Sequence, residues 1–299
     1  MTSNPRIAFE FASDRPSFAP PDGRPILVQA VVNIENWRFD QPMPRKLLTA
    51  PHGAESVPDV PNFAWAEYGM RCGLPRMLRA FADRGIPVSC TMNAGVVETY
   101  PRVAEAVLEA GWELVGHGLH QKSIQTEDSE ATMIAEALCL LRDFSGQKVD
   151  GWLGPGLKQT LDTPDILKAN GVRYCSDWVL DDLPTWMRTR HGPMIAMPYS
   201  LEINDSVAHA VQHRPSDELR TRLAATLRLF EDEAKQQPRI VTLGLHPHLM
   251  GVPHRLVVLL DMLDMLVARP DTHFLTGGAI ADWFESVCPA PAIAMEHIC

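Results

Sequence analysis

The sequence predicts an α/β fold, a distorted (β/α) barrel of seven or eight strands. Segments with the continuous apolar character of buried parallel strands alternate with segments of helical periodicity along most of the 299 residues. Hairpin signals are sparse, so successive strands are expected to be parallel and joined by helices. An open doubly wound sheet is the alternative, but no glycine-rich nucleotide loop follows the first strand.

The first strand is expected at residues 26–33, where eight residues form a largely apolar run. A proline-rich insertion with little periodicity follows at 38–67, and we interpret it as an irregular functional loop that lies over the site. Apolar residues at helical spacing from Leu74 onward predict a helix that stops at Gly85, before a strand at 88–92.

This helix and strand unit recurs to the end of the chain. We therefore expect one catalytic barrel domain at 25–288, a polar N-terminal extension at 1–24 and a C-terminal tail at 289–299. The remaining helices are predicted at 100–110, 129–144, 163–170, 216–236, 254–268 and 279–287, and the remaining strands at 112–116, 149–153, 172–177, 194–199, 240–245 and 273–276.

Composition excludes several classes of partner. The net charge of -10 argues against nucleic acid and against an anionic membrane, and it favours a small neutral substrate. No run approaches the roughly 18 apolar residues of a membrane helix, and the N-terminus lacks the pattern of a secretory signal. The six cysteines have no short CxxC spacing and are expected to be reduced, so a cytoplasmic location is predicted.

Two histidines follow the predicted strand at 112–116, in the glycine-flanked run Gly-His117-Gly-Leu-His120-Gln121. Side chains that follow a barrel strand are placed at the face where barrel active sites lie, which makes His117 a candidate catalytic residue. The two histidines are spaced i, i+3, whereas a metal-binding pair is often spaced i, i+4, where this chain has Gln121. The spacing therefore both suggests and weakens a metal site.

Acid and base candidates follow two other predicted strands. Glu35 comes just after the first strand and could act as a general base or as a metal ligand, and Trp37 beside it is a candidate substrate contact. His246 directly follows the strand at 240–245 and could donate a proton to a leaving nitrogen. There is no Gly-x-Ser-x-Gly elbow and no cysteine beside a histidine, so attack by water is favoured over a covalent intermediate.

Further residues near strand ends are candidate substrate contacts. Arg71 could hold a carbonyl or carboxylate from the rim, or simply pair with a glutamate; Asn93 could orient a carbonyl, or only shape a turn. Gly154 lies in the segment at 151–156, which contains three glycines whose backbone amides could approach a ligand. A plain tight turn is the alternative. The same group includes the indole of Trp178 and two residues on one polar face, Glu202 and Asn204.

Six motifs together resemble the polysaccharide deacetylase superfamily, in particular its cytosolic branch of metal-independent allantoinases and bacterial cyclic imide hydrolases. The resemblance covers about residues 27–284 and implies a distorted barrel that hydrolyses a carbon–nitrogen bond in a small cyclic amide. The motifs are NIENW at 33–37, EYGMR at 67–71, GHG at 116–118, GWLGPG at 151–156, YSLEIND at 199–205 and LHPHLMG at 245–251.

Secreted deacetylases of this superfamily carry an Asp-Asp pair, a His-x-x-x-His pair and an Arg-x-Pro-Gly motif. This chain has Glu35 with Asn33 at the first, Gln121 at the second and Leu153 near the third. Because an amide oxygen is a poor zinc ligand, the expectation is either no cofactor or a single divalent metal, zinc before others, held by Glu35, His117 and His120. No organic cofactor is expected.

Two alternative functions are considered beside cyclic amide hydrolysis. One is a metal-dependent N-deacetylase of amino sugars or polysaccharide, which the altered ligand positions disfavour. The other is a binding or scaffold protein that keeps the fold without activity. The resemblance also implies a homo-oligomer, a dimer or tetramer, for which the apolar helix at 256–267 could supply an interface if it is not part of the core.

Overall fold

The computed structural model describes residues 3–49 and 56–291. The apolar run at the start of the predicted barrel forms the longest strand, which is buried at every position. The strands are β1 Ile26–Ile34, β2 Val88–Met92, β3 Glu113–Gly116, β4 Gly151–Trp152, β5 Tyr174–Cys175, β6 Thr185–Met187, β7 Met194–Ala196, β8 Arg239–Leu245 and β9 Thr272–Phe274.

The strands form one mostly parallel sheet in the order β6-β7-β5-β4-β3-β2-β1-β8, and β9 also pairs with β1. Only the β6–β7 pair is antiparallel among the paired strands described. The irregular segment at 199–205, between β7 and β8 in the chain, pairs with β8 through a single bridge. There the Gly244 amide donates to the Ile203 carbonyl. The predicted fold class, a distorted barrel, is confirmed.

Helices cover the outside of this sheet. Glycines at positive φ end four of them, at Gly85, Gly111, Gly146 and Gly171, as the predicted left-handed ends require. The helices are α1 Val60–Tyr68, α2 Leu74–Ala82, α3 Val96–Thr99, α4 Pro101–Glu109, α5 Glu130–Ser145, α6 Thr163–Ala169, α7 Glu218–Glu233, α8 Pro247–Met250, α9 Pro253–Val267 and α10 Gly277–Val287.

The interpretation of residues 38–67 as irregular throughout is wrong at its C-terminal end, where α1 begins at Val60. Asp59 caps this helix by accepting the Asn62 amide, and Pro61 occupies the first turn, where a proline costs no hydrogen bond. A π-helical turn at Gly69–Gly73 joins α1 to α2. Strand β6 was not predicted, because three residues are too few to show an alternating pattern.

The N-terminal extension packs against the barrel through Arg6 and Ile7, and again through Phe18. Arg6 forms a buried ion pair with Asp165 of α6, with 2.8 Å between Nη2 and Oδ2. Near its end, Trp283 of α10 donates from Nε1 to the Ala19 carbonyl. The predicted extension thus contributes to the core, although its first two residues lie outside the described part.

The helix at 256–267 belongs to α9, and its apolar face packs into the core through Val258, Leu259, Met262, Leu263 and Leu266. An interface role for this helix stays a prediction that rests on its outer side, where Val257 is exposed. In residues 3–49 and 56–291, helices are too short or too polar to cross a bilayer. Residues 50–55 of the insertion and 292–299 of the tail lie outside the described residues.

Candidate active site

A cavity of about 450 Å³ opens where the carboxyl ends of β1, β3 and β8 meet. This is the face at which barrel enzymes bind their substrates, and the volume suits a small molecule. The part of the insertion around residues 42–45 forms one wall, as expected of a loop over the site. The residues that line its floor and inner walls are Glu35, Trp37, Gln121, His246 and His248.

His246 lies between two carboxylates at the floor of the cavity. Its Nδ1 is 2.6 Å from Oδ1 of Asp205, and its Nε2 is 3.4 Å from Oε1 of Glu35. The second oxygen of Asp205 accepts the backbone amide of His246 at 2.6 Å, so Asp205 fixes both the main chain and the ring. Glu35 is held in turn by the indole of Trp37, whose Nε1 donates to Oε2 at 2.7 Å.

This arrangement keeps His246 and Glu35 charged over a wide pH range. Burial alone lowers the pKa of His246, but the charges and hydrogen bonds of Asp205 and Glu35 outweigh it and raise the pKa to about 10. Burial likewise raises the pKa of Glu35, but the hydrogen bond and charge of His246 bring it to about 2. The site therefore holds an imidazolium beside an ionised carboxylate at neutral pH.

His248 forms an aromatic wall next to this array. Its ring meets Trp65 of α1 edge to face at 4.7 Å between centroids, and it meets Trp37 at 5.4 Å. Burial lowers the pKa of His248 to about 4, so this second histidine is neutral. A neutral imidazole between two indoles offers apolar contact surface and a polar ring atom to a small ring-shaped ligand.

Gly69 allows the Gly69–Gly73 turn to approach α8, which carries His248. A methyl group added at Gly69 would lie 2.5 Å from the His248 backbone nitrogen, closer than any real contact. The EYGMR motif thus acts mainly through its glycine, which seats the α1 end against the wall of the cavity.

Replacing Gly69 with alanine is expected to lower the free energy of unfolding by about 1–3 kcal/mol, because backbone rather than a flexible side chain must move. Urea denaturation measures this, and KM should rise because His248 is displaced. Cys72→Ala, in the same turn but only half-buried, is the control. Unchanged stability and KM in Gly69→Ala would contradict the assigned contact.

His117 lies beneath the floor of the cavity and is almost fully buried. Its Nδ1 contacts the Leu153 carbonyl. A carbonyl can only accept, so Nδ1 carries the proton and Nε2 is an acceptor. That Nε2 and the Oε1 of Gln121 are both buried without a hydrogen-bond partner. His117 lies close enough to Glu35 and His246 to interact with both electrostatically. Its role as a catalytic residue stays a prediction.

The predicted metal ligands do not come together. His120 is directed to Asn36, with 3.3 Å between Nδ1 and Nδ2. Both oxygens of Glu35 already face other groups, and position 121 offers an amide. The described residues contain no group of three or more His, Cys, Asp or Glu side chains that could hold a metal ion. The residues present do not fit the expected metal site.

Two predicted substrate contacts lie outside the cavity. Arg71 has a side chain that is 74% exposed and paired with Glu67, the structural alternative considered for it. Glu202 is 80% exposed and pairs with Arg222 of α7, because the chain turns away from the strand direction after Ser200. Neither side chain contributes to the site.

Four other predicted contacts have their polar atoms engaged within the fold. Asn93 accepts the Asn36 amide and donates to the His117 carbonyl, so it braces two loops. The Gly154 amide donates to Asp177, which removes it as an oxyanion donor. The remaining two are Asn204, whose amide donates to the Tyr199 hydroxyl, and Trp178, whose indole donates to Gln159.

Asp205 and His248 were not among the predicted site residues. Asp205 follows a segment in which polar residues alternate at 200, 202 and 204, and that alternation does not continue into it. Asp205 could have been predicted from His246, since an imidazole that transfers protons is usually oriented by a carboxylate. His248 is two residues from His246 but follows the strand end, in α8.

Comparisons with known proteins agree with this architecture. The polysaccharide deacetylase family model matches residues 66–175. A Schizosaccharomyces pombe protein named "Putative polysaccharide deacetylase" is 26% identical over 248 residues, which cover 76% of this chain and 77% of that protein.

Two solved structures share the fold at 24% identity. PuuE allantoinase superposes with a TM-score of 0.82 over 94% of this chain and 97% of its own. A "probable Polysaccharide deacetylase" from Pseudomonas aeruginosa PAO1 superposes with a TM-score of 0.81 over 94% and 98%. The chain therefore has a fold of the polysaccharide-deacetylase type, and residues 66–175 are similar in sequence to the polysaccharide deacetylase family.

Proposed function

We propose that the protein hydrolyses a carbon–nitrogen bond in a small cyclic amide, such as a cyclic imide, a hydantoin or an allantoin-like ring. The observation that carries this proposal is the Asp205–His246–Glu35 array at the floor of a cavity sized for a small molecule. The array supplies a base and an acid side by side, and opening an amide ring by water can use both.

In the proposed reaction the ring carbonyl lies next to Glu35 and His246. The Glu35 carboxylate accepts a proton from a water molecule whose oxygen attacks the carbonyl carbon. The carbon–nitrogen bond then breaks, and Nε2–H of His246 gives its proton to the leaving nitrogen. Asp205 holds Nδ1–H throughout and stabilises the positive ring. The products are a carboxylic acid and an amide or urea nitrogen on one opened chain.

The 3.4 Å separation between His246 Nε2 and Glu35 Oε1 is consistent with this scheme. This hydrogen bond is long and therefore weak, so the proton on Nε2 remains available to a ligand between the two groups. Catalytic hydrogen bonds are often long before substrate binds. The rings of Trp37 and His248, supported from behind by Trp65, would pack against the ring of the substrate.

N-deacetylation of an amino sugar is the second candidate, and the family model and the yeast relative's name favour it. The absence of a suitable group of metal ligands in the described residues disfavours it, because the deacetylases that this superfamily contains are expected to rely on such a group. The two reactions differ in their products: deacetylation releases acetate, whereas ring opening releases none.

The experiment that tests the proposal incubates the purified protein with succinimide, hydantoin, allantoin and N-acetylglucosamine oligomers. Ring opening of at least one cyclic amide is expected, with no acetate from the oligomers. His246→Gln should reduce that activity by about 100-fold or more, because the variant lacks the proton donor. Acetate release with no ring opening would establish deacetylation instead.

The pH dependence of kcat/KM is a further expectation. The acid His246 must be protonated and the base Glu35 ionised, and their pKa values are raised to about 10 and lowered to about 2. Activity should therefore stay level through neutral pH and fall as the pH rises toward 10 and His246 loses its proton. A profile with its inflection near the ordinary histidine pKa of about 6.5 would contradict the charged array.

A further inference from the structure

The mouth of the cavity carries positive charge that the proposed chemistry does not use. Arg45 of the insertion and Lys158, which follows the Pro155–Leu157 turn, both line the cavity. Within residues 3–49 and 56–291, no carboxylate lies within ion-pair distance of either side chain. Lys122 also lines the mouth but is already paired with Glu127 at 3.0 Å.

This local charge contrasts with the chain as a whole, whose net charge is -10. The overall balance favours a neutral substrate, whereas the mouth favours an anionic one. Arg45 is half-buried and close enough to His248 to lower the pKa of that histidine. The positive charge of Arg45 therefore contributes to the electrostatic potential inside the cavity. Cations without partners at a cavity entrance raise the local concentration of anions and bind carboxylates directly.

The size of the cavity points the same way. A volume of about 450 Å³ is in the range that accommodates drug-sized ligands, and an unsubstituted imide ring would fill only a small part of it. A ring placed against Glu35 and His246 leaves room for a substituent directed to the mouth, where Arg45 and Lys158 lie.

We propose that the substrate is a cyclic amide that bears a carboxylate substituent, and that Arg45 and Lys158 bind this carboxylate at the mouth. This inference rests on the proposed ring-opening function and narrows its substrate class. The ring occupies the floor, where the acid and base act, and the carboxylate occupies the mouth, away from the bond that breaks.

The test compares hydantoin-5-acetic acid with hydantoin-5-acetamide, which has the same shape and no charge. For the wild type, kcat/KM is expected to be about 10-fold higher for the acid, with a preference that weakens as salt is added. The double variant Arg45→Met/Lys158→Met should lose the preference, so that its kcat/KM values for the acid and the amide become equal. Lys148→Met, which removes an exposed lysine before β4 at the opposite end of the barrel, is the matched control.

A binding measurement separates failure of this inference from failure of the proposed function. Calorimetric titration of Glu35→Gln with the acid and the amide reports carboxylate recognition without turnover. If rings are opened but acid and amide are used and bound equally, the carboxylate site is wrong and the proposed function stands. If no ring is opened but the acid still binds about 10-fold more tightly through Arg45 and Lys158, the ring-opening function is wrong and the anion site stands.

Discussion

Asp205→Asn is expected to lower kcat for ring opening by at least about 100-fold with little change in fold. Asparagine can still accept the His246 backbone amide, but it removes the negative charge that holds Nδ1–H and stabilises the positive ring. Asp205 is fully buried beside His246, so no water replaces that charge. The loss should appear mainly in kcat, because Asp205 does not line the cavity.

The same substitution should move the alkaline limb of the pH profile to lower pH. Asp205 is the largest of the influences that raise the pKa of His246, so without it the ring loses its proton at a lower pH. Proton NMR of the His246 ring, followed by titration, measures this directly. Glu202→Gln, three residues earlier and 80% exposed, is the control and should resemble the wild type. Full activity in a folded Asp205→Asn protein would show that ring opening does not depend on Asp205.

Glu35→Gln is the second substitution with a large expected effect. A reduction in kcat of about 10²–10⁴-fold is expected, because glutamine keeps the shape and can still accept from Trp37 but cannot take a proton from water. Glu35→Asp, which retains a carboxylate on a shorter side chain, should recover part of the activity. Steady-state kinetics with the best cyclic amide substrate measures both variants.

Glu67→Gln is the matched control for Glu35→Gln, since Glu67 pairs with the exposed Arg71 outside the cavity. It removes the same charge and should leave kcat close to that of the wild type. If Glu35→Gln were as active as Glu67→Gln, the general base would have to be another group.

The barrel was predictable because its central strands are buried on both faces. A strand such as β1, apolar over most of its length and bounded by turns, has few other stable environments, and the glycines that end the outer helices mark the repeats. The start of α1 was not predictable from periodicity. Its helix depends on the Asp59 cap and on packing of Trp65 against Trp37 and His248, both of which are properties of the folded chain.

Within the site, strand ends located Glu35 and His246 because a side chain directly after a parallel strand has little freedom in where it lies. Residues further from a strand end were harder to place. His120 follows a turn that directs it to Asn36, and the chain carrying Glu202 turns outward before reaching the cavity. Asp205 reaches His246 only through the irregular segment between β7 and β8, whose path no sequence period specifies.

Under the proposed function, the protein's own acid and base groups open a cyclic amide. The most direct test measures product stoichiometry from succinimide before and after exhaustive chelation, with acetate release from an N-acetylglucosamine oligomer assayed in the same preparation. We predict one succinamate for each succinimide consumed, an unchanged rate after chelation, and no acetate. Loss of ring opening on chelation that zinc restores would show that a metal is required, and acetate release without ring opening would show that the protein is a deacetylase.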